Sequence, residues 1–280
     1  MIVKPKIASV FSILIFFIFS IVINAQALRL QSVGEQKNFE LNLFYGKEGK
    51  GAFVQYKRQK GILELKINSY SKESANTDEP QYYFETFIWD EIVDGKINGT
   101  YTLLTENDNF REAHYLRKKD GRKFNLKKIA NLKTQELYLN NARISYDIKR
   151  SPYVSIIDEK GGATDFVLPD ISDPPRERSL EINDYNLDGY DDLGFSAPDA
   201  GMGVYSVYYI LVYDPESQNF QNMQEPDYSK SECQCLCNVL VDEFERKMTT
   251  SCRGGARWYL DVYKMKNGKW VFEKSEDVYE

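Results

Sequence analysis

Apolar residues along this chain recur at every second position, in short runs interrupted by turn-forming dipeptides, and no other feature limits the fold as much. Successive side chains of a strand point to opposite faces, so such a run buries one face and leaves the other to water. No stretch carries the 3.6-residue repeat of a long amphipathic helix. The 20 tyrosines and 16 phenylalanines point the same way, because aromatic side chains suit the pleated surface of a sheet. The expected fold is all-β, with two antiparallel domains.

The first domain is assigned to residues 28–135, with strands at 39–45, 51–57, 62–69, 82–92, 99–105, 113–118 and 123–126. Gly46-Lys47-Glu48-Gly49, Lys60-Gly61, Asp94-Gly95 and Asp120-Gly121 are the joints between them. Short strands joined locally predict a meander that closes into a barrel or a sandwich. The second domain is assigned to residues 136–280, with strands at 143–149, 153–158, 204–213, 257–265 and 270–274. Its run VYSVYYILVY is apolar on both faces and reads as central to a sheet, and Asn267-Gly268 marks a terminal hairpin. The Gly-, Pro- and acid-rich stretch 160–178 reads as a long connection.

Residues 1–27 read as a signal peptide. Lys4 and Lys6 form a basic start, residues 7–23 are almost wholly apolar, and Ala25-Gln26-Ala27 offers an A-x-A cleavage site. The run is short for a spanning helix, so no membrane span is expected after cleavage, and no cysteine follows for lipid attachment. A periplasmic or secreted protein is expected. Its formal net charge of −6 becomes more negative when the leader takes two lysines and no acid with it. Such a chain suits cations and basic proteins as partners, and neither nucleic acid nor an anionic membrane.

Residues 184–193 read DYNLDGYDDL, with the spacing D-x-N-x-D-G-x-x-D. A hard divalent cation takes six to eight oxygens, and alternate side chains on a curling loop can point at one centre. The expected ligands of a Ca2+ ion are the side chains of Asp184, Asn186 and Asp188, the carbonyl of Tyr190, and Asp192 directly or through water. Gly189 supplies the sharp turn. An EF-hand would need Glu at position twelve and a helix on each side, whereas Phe195 stands there and both flanks alternate as strands. The reading is therefore a calcium loop between two strands. A solvated Asp/Asn turn is the simpler alternative, but it needs only one or two of these residues and gathers like charges without a cation. The motif occurs once, which argues against a multi-blade propeller or a dockerin pair.

Cys233, Cys235, Cys237 and Cys252 are the four cysteines. In an exported chain they read as two disulfides with three connectivities open, one bridge running from the triplet to Cys252. A four-thiolate zinc site is the alternative, without the usual C-x-x-C spacing. His114, the only histidine, has no serine or cysteine motif to serve, and Asn98-Gly99-Thr100 is explained by strand entry as well as by glycosylation. The tyrosines are assigned to strand faces rather than to sugar stacking, and Trp258 and Trp270 to the terminal hairpin core.

The succession LEINDYNLDGYDDLGF, GVYSVYYILVYDPESQNF and GGARWYLDVYKMKNGKWVF resembles a family of exported bacterial proteins with a calcium-binding, C2-like β-sandwich, related to periplasmic lysozyme inhibitors. The resemblance covers roughly residues 140–280. It implies the same five ion ligands and a C2-like sandwich for the second domain. The segments KGAFVQYKRQKGILELK and EIVDGKINGTY look like a β domain that accompanies such modules. The C-x-C-x-C run and the first domain depart from the inhibitor pattern, and no inhibitory loop is identifiable.

These readings favour a calcium-binding module of the cell envelope, not an enzyme, with a basic extracellular protein such as a lysozyme as a partner. The alternatives are a structural or adhesive surface protein or a toxin-immunity protein, and then a hydrolase using paired carboxylates. No catalytic residue is assigned.

Overall fold

The computed structural model describes residues 26–74, 82–132, 135–146, 152–169, 178–199 and 205–278. Residues 1–25, which make up most of the expected signal peptide, and residues 170–177 of the long connection lie outside the described residues. Among those described, the only helical element is one 3₁₀ turn at Lys47–Gly49. The expected all-β antiparallel fold is what forms.

Eight strands build the first unit: β1 (Gln26–Val33), β2 (Glu40–Tyr45), β3 (Ala52–Tyr56), β4 (Leu63–Ser74), β5 (Tyr83–Val93), β6 (Lys96–Glu106), β7 (Asn109–Arg117) and β8 (Lys123–Asn131). Each pairs antiparallel with the next, and β8 pairs with β1 to close a barrel. Closure leaves no edge strand open to a neighbouring chain. The period-two pattern is plainest on β5, where Tyr83, Glu85, Phe87, Trp89 and Glu91 are buried and the residues between them are only half-buried. Leu30, Leu43, Val54, Trp89, Tyr101 and Leu103 fill the interior, each contributing about 1.5–3 kcal/mol as a fully buried apolar side chain. Strand β1 was absent from the sequence reading, yet the barrel requires it. Gln26 and Ala27, assigned to the leader, belong to this strand. The Tyr45 hydroxyl donates to Gln26 Oε1 at 2.6 Å, and Leu132 N donates to the Ala27 carbonyl at 2.8 Å.

Three four-stranded antiparallel sheets follow. The first holds β9 (Gln135–Leu139), β10 (Ala142–Tyr146), β11 (Tyr153–Ile157) and β12 (Ala163–Val167). The second holds β13 (Ser179–Asn183), β14 (Asp192–Pro198), β15 (Ser206–Asp214) and β16 (Asn219–Asn222). In the third are β17 (Leu240–Asp242), β18 (Lys247–Gly254), β19 (Arg257–Lys266) and β20 (Lys269–Asp277). Leu137, Ile144 and Val154 of the first sheet share a core with Leu193, Phe195 and Leu211 of the second. Ile210 and Val212, on the opposite face of the second sheet, share another with Met248, Tyr263 and Trp270 of the third. The middle sheet is thus covered on both faces, which is why β15 reads as continuously apolar.

The barrel meets these sheets through Phe44 and Phe53, stacked at 4.6 Å on its outer face and packed with Tyr138 of β9. Tyr138 N donates to the Gly51 carbonyl at 2.9 Å. The 3₁₀ turn folds beside this junction with Gly49 at φ +81°, where a Cβ would come within 2.8 Å of Ile67 Cδ1. Glycine is required there on both counts.

Candidate functional site

The acidic loop connects β13 to β14, and the pair Asn183 and Asp192 closes its base. Its curl depends on two residues of positive φ, Leu187 at 59° and Gly189 at 92°. The Asp184 carboxylate accepts from Asp188 N at 3.1 Å and Gly189 N at 2.7 Å. Asn186 Oδ1 also accepts from Asp188 N, at 3.1 Å. Asp188 in turn accepts from Tyr190 N at 2.9 Å and from the Asn186 amide at 2.8 Å. Asp184, Asn186 and Asp188 are therefore gathered over one turn, with Asp188, Gly189 and Tyr190 exposed to solvent.

Asp192 is placed differently. It is fully buried, and its two oxygens accept from Tyr185 N and Tyr213 N, each at 2.8 Å. Desolvation pushes its pKa up to about 7, the two amide donors pull against that, and the charges of Asp188 and Asp184 add to the rise. Its carboxyl ties the loop to β15. The Tyr190 ring lies 5.5 Å from that of Tyr213.

Other elements hold the loop from outside. Lys50, just after the 3₁₀ turn, donates to Asp191 Oδ1 at 3.0 Å and to the Ile182 carbonyl at 3.2 Å. Lys47 pairs with Glu181 at 3.2 Å. Asn140, in the β9–β10 turn, donates to the Asp191 carbonyl at 2.8 Å. The Trp270 indole donates to the Tyr185 carbonyl at 3.0 Å. The Tyr185 ring stands over Gly194, where a Cβ would lie 2.3 Å from the Tyr185 hydroxyl. Sequence reasoning missed Lys50 and Asn140, which carry no local pattern: Lys50 lies 141 residues from Asp191. Trp270 stood out only as part of a hairpin.

Chemically, the loop presents hard oxygen donors: two carboxylates, one carboxamide and the backbone. Among the described residues no group of three or more His, Cys, Asp or Glu side chains is assembled as a metal centre. His114 sits half-buried on β7, its pKa lowered by desolvation and by Lys123. The four cysteines are paired, Cys233 with Cys252 and Cys235 with Cys237. Buried Asp261 accepts from Cys233 N at 2.9 Å and from the Ser231 and Ser275 hydroxyls, fixing the segment that carries the first bridge.

No helix among the described residues is long and apolar enough to cross a membrane. No family model matches the chain, and no curated protein matches it. Among solved structures it is similar to TolB from Acinetobacter baumannii, with a TM-score of 0.26 and 11% identity over 92% of this chain. The match spans 64% of that structure's length, and at this TM-score it assigns neither a fold family nor an activity.

Proposed function

We propose that the protein is an exported calcium-binding β protein that serves as a binding module of the cell envelope, periplasmic or secreted, rather than as an enzyme. The observation that carries this reading is the convergence of Asp184, Asn186 and Asp188 over one glycine-containing turn, two of them accepting the same Asp188 amide. Hard oxygen donors on an exposed turn fit calcium, and water can complete the coordination. Asp184, Asn186, Asp188 and the Tyr190 carbonyl would hold the ion, with Asp192 behind them. The ion would neutralise the acidic turn and so fix the β13–β14 connection. In this reading the first two sheets form the C2-like sandwich, and the third sheet adds to it.

The partner we propose is a basic extracellular protein of the lysozyme type, to which the negative net charge is complementary. Vertebrate and invertebrate lysozymes should be assayed on bacterial cell-wall suspensions with increasing amounts of the calcium-loaded protein, alongside surface binding measurements. Stoichiometric inhibition or saturable binding that weakens with salt is expected. If no lysozyme is bound or inhibited at low salt, the lysozyme partnership falls, while the calcium site stands on its own test.

A further inference from the structure

At one end of the barrel the β1–β2, β3–β4, β5–β6 and β7–β8 connections surround a cavity of about 610 Å³. Phe39, Tyr56, Tyr115 and Phe124 form its aromatic wall, Phe39 lying 5.7 Å from Tyr56 and 5.5 Å from Phe124, and polar and charged residues, among them Glu35, Lys37, Arg117 and Arg122, line the rest. Glu91 also lines it and is 1% exposed.

Four donors converge on the Glu91 carboxylate. Asn98 Nδ2 at 2.5 Å and the Tyr115 hydroxyl at 2.8 Å reach one oxygen, and the Tyr101 and Tyr56 hydroxyls reach the other at 3.1 and 3.5 Å. All four are neutral. The other two buried carboxylates among the barrel's described residues do have cations: Lys72 lies 3.7 Å from Glu85, and Arg111 pairs with Glu106. Among the described residues Glu91 has no such partner. Of the cations at the same cavity, Arg117 and Arg122 are already paired with Asp120 and Glu35, and Lys37 lines it on the β1–β2 connection without reaching Glu91.

A buried carboxylate answered only by neutral donors retains its attraction for a positive charge. The aromatic faces of Phe39 and Tyr56 add to it, because the ring quadrupole favours a cation over the ring, whereas Phe124 already has Arg117 and Arg122 each 5.1 Å from its centroid. Tyr56 makes the longest contact to Glu91 and has Tyr101 as a second partner at 2.7 Å, so its side of the carboxylate is the one a ligand can take over most easily. An anionic ligand would meet the carboxylate at the floor, and a wholly apolar one would leave these polar groups without water.

We infer that this end of the barrel binds a small organic ammonium compound, its cationic head received by Glu91 and the tyrosine hydroxyls and its body lying against Phe39 and Phe124. The site is separate from the acidic loop.

The test uses three probes of one size: phenethylammonium, phenethyl alcohol and 3-phenylpropanoate, titrated into the full mature protein by calorimetry and followed by NMR. The ammonium probe should bind about tenfold more tightly than the alcohol, with the anion weakest. Glu91→Gln should reduce the ammonium preference to about onefold. Phe39→Ala, which leaves the carboxylate network in place, should weaken the ammonium probe severalfold and so tests the site even if Glu91→Gln fails to fold. Equal binding of alcohol and amine, preference for the anion, binding unchanged in Phe39→Ala, or no saturable binding of any probe would overturn the inference.

Discussion

Individual residues of the acidic loop divide into two kinds. Asp188 is exposed and bonds only within the turn, whereas Asp192 is buried and holds two backbone amides of different elements. Asp192→Asn would set an amide donor against one of those N–H groups, so a loss of about 1–3 kcal/mol is expected in calcium and in EDTA alike. Asp188→Ala should cost at most about 1 kcal/mol in EDTA, and urea unfolding in both buffers distinguishes the two. His114 gives a pH signature. Its folded pKa is lowered from 6.5, so the unfolded chain takes up the proton first as pH falls. Stability should therefore be lost as pH drops through about 6.5, and His114→Gln should lose less than the wild type between pH 7 and 5.5. Asn98, first residue of a glycosylation sequon, is engaged with Glu91, and Gly99 beside it would place a Cβ 2.4 Å from the Tyr115 ring. That glycine is needed for a close contact, which the turn reading did not anticipate.

At the level of elements, the loop is positioned by its strands and by Trp270 of β20. Trp270→Phe keeps most of the packing but removes the donor to the Tyr185 carbonyl. A loss of about 1–3 kcal/mol in chemical unfolding, with a weaker response to calcium, is expected. Strands with clean alternation or double burial, β5 and β15, were legible in the sequence. Apart from β1, those that failed to show were short or polar: β16 reads NFQN and β17 LVD, with too few positions to display a period. β12 lies inside the stretch read as a loop, because Ala163–Val167 is mostly exposed and has no buried face to advertise it. The acidic motif was legible because its donors are adjacent in sequence. Its clamps from Lys50, Asn140 and Trp270 were not, since long-range register leaves no local pattern.

The whole molecule is a closed barrel joined to stacked sheets, and its joints differ in strength. Lys47 pairs with Glu181 of β13 and Lys50 with Asp191 of the acidic loop while each lysine is about a third exposed, so losing either ion pair should cost under about 1 kcal/mol. The Phe44, Phe53 and Tyr138 contact is the stronger tie. Cys252 of β18 is bridged to Cys233, 19 residues earlier in the segment that precedes the third sheet. Replacing both by serine should lower stability by about 3 kcal/mol on the loop-closure argument, measured by urea unfolding without reductant. The bridge from the triplet to Cys252 was anticipated, and it leaves Cys235 and Cys237 to pair within the triplet; which of the three cysteines reaches Cys252 was left open. The sequence left a barrel and a sandwich both open for the first domain, and it is the β1–β8 pairing that decides for the barrel; β1 itself had no visible boundary, because it runs into the apolar stretch assigned to the signal peptide.

On the proposed reading, DYNLDGYDDL holds calcium and the ion fixes this part of the fold. Thermal melts of the mature protein in calcium and in EDTA, beside Asp188→Ala, test it most directly. Calcium at a hundredfold over its Kd should raise the wild-type Tm by roughly 5–10 °C and leave Asp188→Ala unmoved. A wild-type melt indifferent to calcium, or an equal shift in the variant, would contradict the account and leave the segment as an acidic turn held in place by Asp192.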